Sequence, residues 1–175
     1  MLKYLGERGT AVPKNIYRAI GFSVPTDLYA SCLKISQGFN HVYNRRFLNQ
    51  LKEKVKKKSE HFPDQFDLNS LKKIRRLLDF DNFFTAPIHG FDNALHYYRH
   101  CSAQRYLMSI QIPTVIVNAQ NDPFLAPTCY PDKILRKHPF VALLIPSNGG
   151  HCGFADRSLV NGYWSEALAW NYMNR

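Results

Sequence analysis

Two short apolar runs constrain this chain most: residues 114–119, TVIVNA, and residues 141–146, VALLIP. Each is too short for a helix and nearly free of polar residues, the pattern of a strand buried on both faces of a parallel sheet. A loop and then a helical pattern follow each run. After the first, Pro131 opens PDKILRK, with Asp132 in the first turn and basic residues near the end. After the second, residues 157–175 place Trp164, Ala167, Leu168 and Tyr172 on one side of a last helix. A weaker strand signal, AIGFSVP, lies at residues 19–25. Strand, loop and helix in alternation predict an α/β fold of about three parallel strands with flanking helices, in one domain spanning residues 1–175.

About 80 residues separate the first strand from the second, with several helical stripes and no strand signal. That is too long for a simple crossover, so residues 26–105 are expected to form a helical lid or cap. Within it Phe39, Tyr43, Phe47, Leu51 and Val55 recur every four residues, giving one apolar face. Leu71, Ile74, Leu77 and Leu78 repeat the pattern in the next basic segment. Phe39, Tyr43, Phe47, Phe83 and Phe84 are candidates for an apolar ceiling, and lid core is the plainer role for them.

The opposite faces carry much of the net charge of +10, including five lysines between Lys52 and Lys58. Such a face is most simply solvated. It also suits an anionic membrane surface, whereas the lack of any RNP, zinc-finger or helix-turn-helix signature argues against nucleic acid. No run approaches the ~18 apolar residues of a membrane span. The opening MLKYLGERGT is too short and too charged for a secretory signal. Cys32, Cys101, Cys129 and Cys152 form no C-x-x-C pair, so reduced thiols in a cytoplasmic protein are expected rather than disulfides or zinc. No metal cluster or phosphate-binding glycine loop is visible, and no cofactor is expected.

A parallel sheet places its chemistry on loops at the carboxyl ends of its strands. Asp122 follows the first apolar run, and His151 follows the second behind Gly149 and Gly150. Their order and their spacing of 29 positions suit the acid and histidine of a hydrolase triad, in which the acid orients the imidazole and the imidazole takes a serine proton. Gly21-Phe22-Ser23-Val24-Pro25 meets four of the five positions of G-x-S-x-G. Pro25 replaces the second glycine and holds Val24 extended, which suits a strand end better than a nucleophile elbow.

Residues 79–102 (DFDNFFTAPIHGFDNALHYYRHCS), 107–124 (LMSIQIPTVIVNAQNDPF) and 149–154 (GGHCGF) together resemble the YheT-like α/β-hydrolases, esterases and lipases related to the yeast medium-chain ester enzymes. The most specific stretch is Phe-Asp-x-x-x-Thr-Ala-Pro-x-x-Gly-Phe, from Phe80 to Phe91. The resemblance implies the C-terminal half of an α/β-hydrolase fold, a serine carboxylic-ester hydrolase acting on a short- or medium-chain acyl ester or a lipid-like substrate, with Asp122 as triad acid and His151 as triad base. It sets MLKYLGERG on the helix that follows the nucleophile elbow, and GFSVPTDL on the next strand. The nucleophile and its oxyanion donors are then expected before Met1, leaving Ser23 an ordinary strand-end residue. Little ester hydrolysis is expected of the chain alone, and an N-terminal half chain or self-association is expected to cover its sheet. The alternative is a non-catalytic remnant or interaction module with a basic, lipid-binding face.

Overall fold

The computed structural model describes residues 1–154 and 162–174. Three parallel strands, β1 (Ala19–Phe22), β2 (Thr114–Val117) and β3 (Val141–Leu144), lie side by side in chain order. Ala19 pairs with Thr114, and Thr114 with Val141, so Phe22, Val117 and Leu144 end level with one another. The Ser23 amide donates to the Val117 carbonyl and the Asn118 amide to the Leu144 carbonyl, carrying the ladder one residue past the strands. The residues expected to do chemistry therefore leave the sheet from one common edge.

The helices among the described residues are α1 (Leu2–Arg8), α2 (Leu28–Ile35), α3 (His41–His61), α4 (Leu77–Phe80), α5 (Ala86–Ile88), α6 (Ala94–Cys101), α7 (Asp132–Leu135) and α8 (Trp164–Met173). Leu2 and Leu5 of α1 pack with Leu107, Ile110, Ile116, Leu135 and Val141 on one face of the sheet. On the other face Val117, Ala119 and Phe154 meet Ile20, Phe22, and Trp164 and Leu168 of α8. The part of the expected last helix at residues 157–161, and residue 175, lie outside the described residues.

Gly6 is where α1 makes its closest approach. A Cβ there would stand 2.1 Å from the Tyr106 carbonyl oxygen, backbone that cannot swing aside. Gly6→Ala is expected to push α1 away from the 3-10 segment Ala103–Ser109 and cost about 3 kcal/mol, lowering Tm by roughly 5–10 °C in a thermal melt. A shift within 1–2 °C would show that α1 is not fastened there.

Three expectations need correcting. The VALLIP run does not make a strand buried on both faces: Val141 is buried, but Ala142 and Leu144 are exposed, because on their face α8 packs over the β1 side of the sheet, against Ile20 and Phe22, and β3 lies at the far edge. The apolar stripe of α3 also breaks at its start. Leu48 and Val55 are buried and Phe47 and Leu51 half-buried, but Tyr43 is exposed and Phe39 almost wholly so. Phe39 precedes the helix in a 3-10 turn (Gly38–Asn40), so the four-residue period does not carry its ring onto the inner face. The second stripe is core without being one helix. Leu71 and Ile74 are buried, yet the backbone turns between Lys72 and Leu77, where Asp79 Oδ2 accepts from the amides of Arg75 and Arg76.

The segment between β1 and β2 has a core of its own, built from Leu48, Val55, Leu71, Ile74, Phe80 and Phe84. The Phe80–Phe91 motif ties it together. A π-helical turn, Asp81–Thr85, joins α4 to α5. Asp81 accepts from the Thr85 hydroxyl at 2.5 Å and from the Tyr98 hydroxyl, and Asn82 Oδ1 accepts from the Ala94 amide at 2.7 Å. Burial, then the hydrogen bond to Asp81, then the contact with Cys32 raise the Tyr98 phenol far above its ordinary value, so it stays a neutral donor.

Candidate active site

The loop after β2, Asn121-Asp122-Pro123-Phe124, uses each of its residues. Asn121 Oδ1 accepts from the Gly150 amide at 2.8 Å, which holds the loop after β3. Asp122, wholly buried at its side chain, accepts the Phe124 amide on Oδ1 at 2.9 Å and meets His151 Nδ1 with Oδ2 at 3.0 Å. The Pro123 carbonyl accepts from Asn40 Nδ2 at 2.7 Å, fastening the start of α3 to the same loop. The Phe124 ring stands edge-on to the His151 imidazole, 4.8 Å between centroids. The imidazole is thus held in orientation by a carboxylate and by an aromatic wall, while its other edge remains partly exposed.

Gly149 and Gly150 make the His151 approach possible. Both have positive φ, at 149° and 53°, and a Cβ on Gly149 would come 2.6 Å from the Phe154 ring. Tyr130 closes the loop after β2 from beneath, its hydroxyl donating to the Ala119 carbonyl at 2.6 Å. Burial, helped by the charges of Asp122 and Cys129, pushes that phenol up to about 12, so it too remains a neutral donor.

Ser23 lies in this site without facing the imidazole. It is buried, sits at φ 51°, and its hydroxyl donates to the His151 backbone carbonyl at 2.6 Å. A non-glycine residue in the left-handed region persists only where its surroundings hold it there. Here the Val117 carbonyl holds the Ser23 amide and the His151 carbonyl its side chain.

Asn118 was not singled out from the sequence and is central to the site's frame. Fully buried, it accepts the Val24 amide at 2.7 Å and donates to the carbonyls of Val24 and Cys129 at 3.0 and 2.9 Å. The one signal for it was a polar residue inside TVIVNA, where an isolated buried amide must find partners.

A cavity of about 530 Å³ opens beside the imidazole, lined by His151 and Ser23 at one side and by apolar residues including Leu28, Phe47, Leu51 and Leu125. The aromatic ceiling expected over it is mostly absent. Phe47 lines the cavity, but Phe84 is buried in the helical core and Phe83 is exposed beneath Lys73. Phe39 points to solvent and Tyr43 packs on Phe124, 5.0 Å between ring centroids. Among the described residues no helix is long and apolar enough to cross a membrane, and no three His, Cys, Asp or Glu side chains are grouped to hold a metal. All four cysteines are free thiols.

No family model matches the chain, and no solved structure matches it at a significant level. Curated proteins do. YheT of Escherichia coli, which bears an esterase designation, is 36% identical over 90% of this chain. Phospholipase ABHD3 of Mus musculus is 31% identical over the whole chain, and the monoacylglycerol lipase of Saccharomyces cerevisiae 34% identical over 90% of it. The chain spans 46%, 41% and 36% of the lengths of these three relatives. Its parallel strands and flanking helices are those of the C-terminal part of an α/β-hydrolase, and over 90% or more of its own length the chain is similar to a part of each of these YheT-like relatives.

Proposed function

We propose that these residues supply the acid and the base of a serine carboxylic-ester hydrolase. The observation that carries the reading is the 3.0 Å contact between Asp122 Oδ2 and His151 Nδ1 at adjacent strand ends, beside a largely apolar cavity. Asp122 keeps the proton on Nδ1, so that Nε2 is free to take the proton of an attacking serine and later return it to the leaving alcohol. The resulting imidazolium is stabilised by the buried carboxylate. The cavity suits a short or medium acyl chain, and the relatives' names of esterase, phospholipase and monoacylglycerol lipase support an ester or lipid substrate. Residues 26–105 act as the lid over it.

The nucleophile in this reading comes from a Gly-x-Ser-x-Gly segment that these 175 residues do not contain. Ser23 is a positioning residue, because its hydroxyl is engaged with the His151 carbonyl. The chain alone is therefore expected to take no fluorophosphonate adduct by intact mass. Co-expression with the elbow-bearing segment of the YheT relative is expected to give labelling of the elbow serine and turnover of p-nitrophenyl esters, both lost in His151→Ala. An adduct on Ser23 in the chain alone would overturn its assignment. A soluble complemented protein without turnover would make the chain an interaction module instead.

Ser23→Ala and Ser23→Gly separate positioning from strain. Glycine relieves the positive φ and alanine does not, yet both remove the donor to the His151 carbonyl. Both variants are expected to lower kcat about tenfold in the complemented enzyme with KM nearly unchanged, while glycine melts higher than alanine. Unchanged kcat in both would confine Ser23 to a structural role.

A further inference from the structure

The misplaced end of the α3 stripe has a consequence for where substrate is met. Phe39 is 94% exposed, Val42 60% and Tyr43 45%, an unusual concentration of bare apolar surface on one short stretch. They sit in the 3-10 turn and in the first turn of α3, into which it runs. The stretch is not loose: Asn40 Nδ2 donates to the carbonyls of Pro123 and Lys34, and the Tyr43 ring packs on Phe124. Phe124 in turn walls His151. The exposed apolar residues are therefore fastened to the loop that carries Asp122.

Charge follows the same line. Val42, Arg46, Gln50 and Lys54 recur every four residues, one row along the helix. Gln50 and Lys54 are exposed and also line the cavity beside His151, so the cavity borders the far end of this row, about two turns along the helix from Val42. His41 and Arg45 are exposed next to it, and the first acidic residue of α3, Glu53, is already paired with Lys56.

We propose that Phe39, Val42 and Tyr43, flanked by Arg45, Arg46 and Lys54, dock the cavity mouth onto an anionic lipid surface. Apolar side chains reach the acyl boundary while the guanidinium and ammonium groups meet lipid phosphates, a pairing that satisfies both features of the patch at once. A second copy of this chain brings the same cations and a net charge of +10 to the contact, and repels. An acidic protein meets the cations but gives the apolar residues no acyl layer to enter. The purpose of docking rests on the lipid-ester reading of the site, but the contact itself is measured without turnover.

The test is sedimentation of the 175-residue chain with phosphatidylcholine vesicles, with and without 30% phosphatidylglycerol. Binding is expected only with the anionic lipid, and is expected to weaken as salt rises. Phe39→Ser with Val42→Ser, which leaves charge unchanged, is expected to weaken binding at least tenfold, as is Arg45→Gln with Arg46→Gln. Lys133→Gln with Lys137→Gln removes the same charge from an exposed site on and beside α7, and is expected to change binding less than twofold. Unchanged melting curves certify the folds. Absence of vesicle binding, binding indifferent to the serine pair, or equal losses in both charge variants would overturn the proposal. So would a dimer in size-exclusion chromatography that the serine pair dissolves, since a second copy would then cover the patch. A chain that binds vesicles but, once complemented, hydrolyses no ester would refute the chemistry and leave the docking surface standing.

Discussion

Asp122→Asn is expected to lower kcat/KM for ester hydrolysis by about 10⁴-fold in the complemented enzyme, with little change in melting temperature. Both carboxylate oxygens are occupied, Oδ1 by the Phe124 amide and Oδ2 by His151 Nδ1. An asparagine keeps its carbonyl oxygen on the Phe124 amide and turns its NH₂ toward the imidazole. Nδ1 must then accept, which moves the ring proton to Nε2, the atom that has to act as base. The imidazole ¹⁵N shifts are expected to report this change of tautomer alongside the kinetics. A loss below tenfold with unaltered shifts would exclude Asp122 from the role.

The second large effect falls on stability. Asn118→Leu, close in volume, strips the partner from the Val24 amide and from the Cys129 carbonyl, and leaves the Val24 carbonyl with the Thr26 amide alone. Each of the two groups left unsatisfied costs about 1–3 kcal/mol, so the sum is on the order of 2–6 kcal/mol, comparable at its upper end with the whole stability of many domains. The leucine variant is expected to be unfolded or to lose most of its denaturant midpoint. Asn118→Asp fares little better, since it answers the amide but turns acceptors toward two carbonyls. A urea midpoint that gives less than about 1 kcal/mol of change would show that water replaces the amide there.

Which features could be read from the sequence follows from the range of the interactions that make them. β2 was legible because consecutive β-branched residues in TVIVNA carry their own strand preference, and the polar loops after both apolar runs placed Asp122 and His151 at strand ends. Pro25 was enough to doubt Ser23 as a nucleophile, since it acts on its immediate neighbour. The bond that defines Ser23, to a carbonyl 128 positions away, has no local trace. Nor does the tie of Asn40 to Pro123 across 83 positions, and that tie holds the turn that carries Phe39. Exposure of Ala142 and Leu144 was hidden for a different reason. An apolar run looks the same on an edge strand as in the middle of a sheet.

The three ties of Asn118 also bear on the order in which the molecule takes shape. Val24 and Asn118 are 94 positions apart, and the intervening chain is helical with its own core. Closing so long a loop is entropically unfavourable unless the intervening chain has already condensed, so local helical contacts form early and β1 joins β2 late. His151 needs Ser23 from beyond β1 and Asn121 and Asp122 from beyond β2, the latter two through Gly150 and its own imidazole. The contact between Asp122 and His151 thus becomes ordered only when the sheet has zipped, and its appearance is a reporter of finished folding.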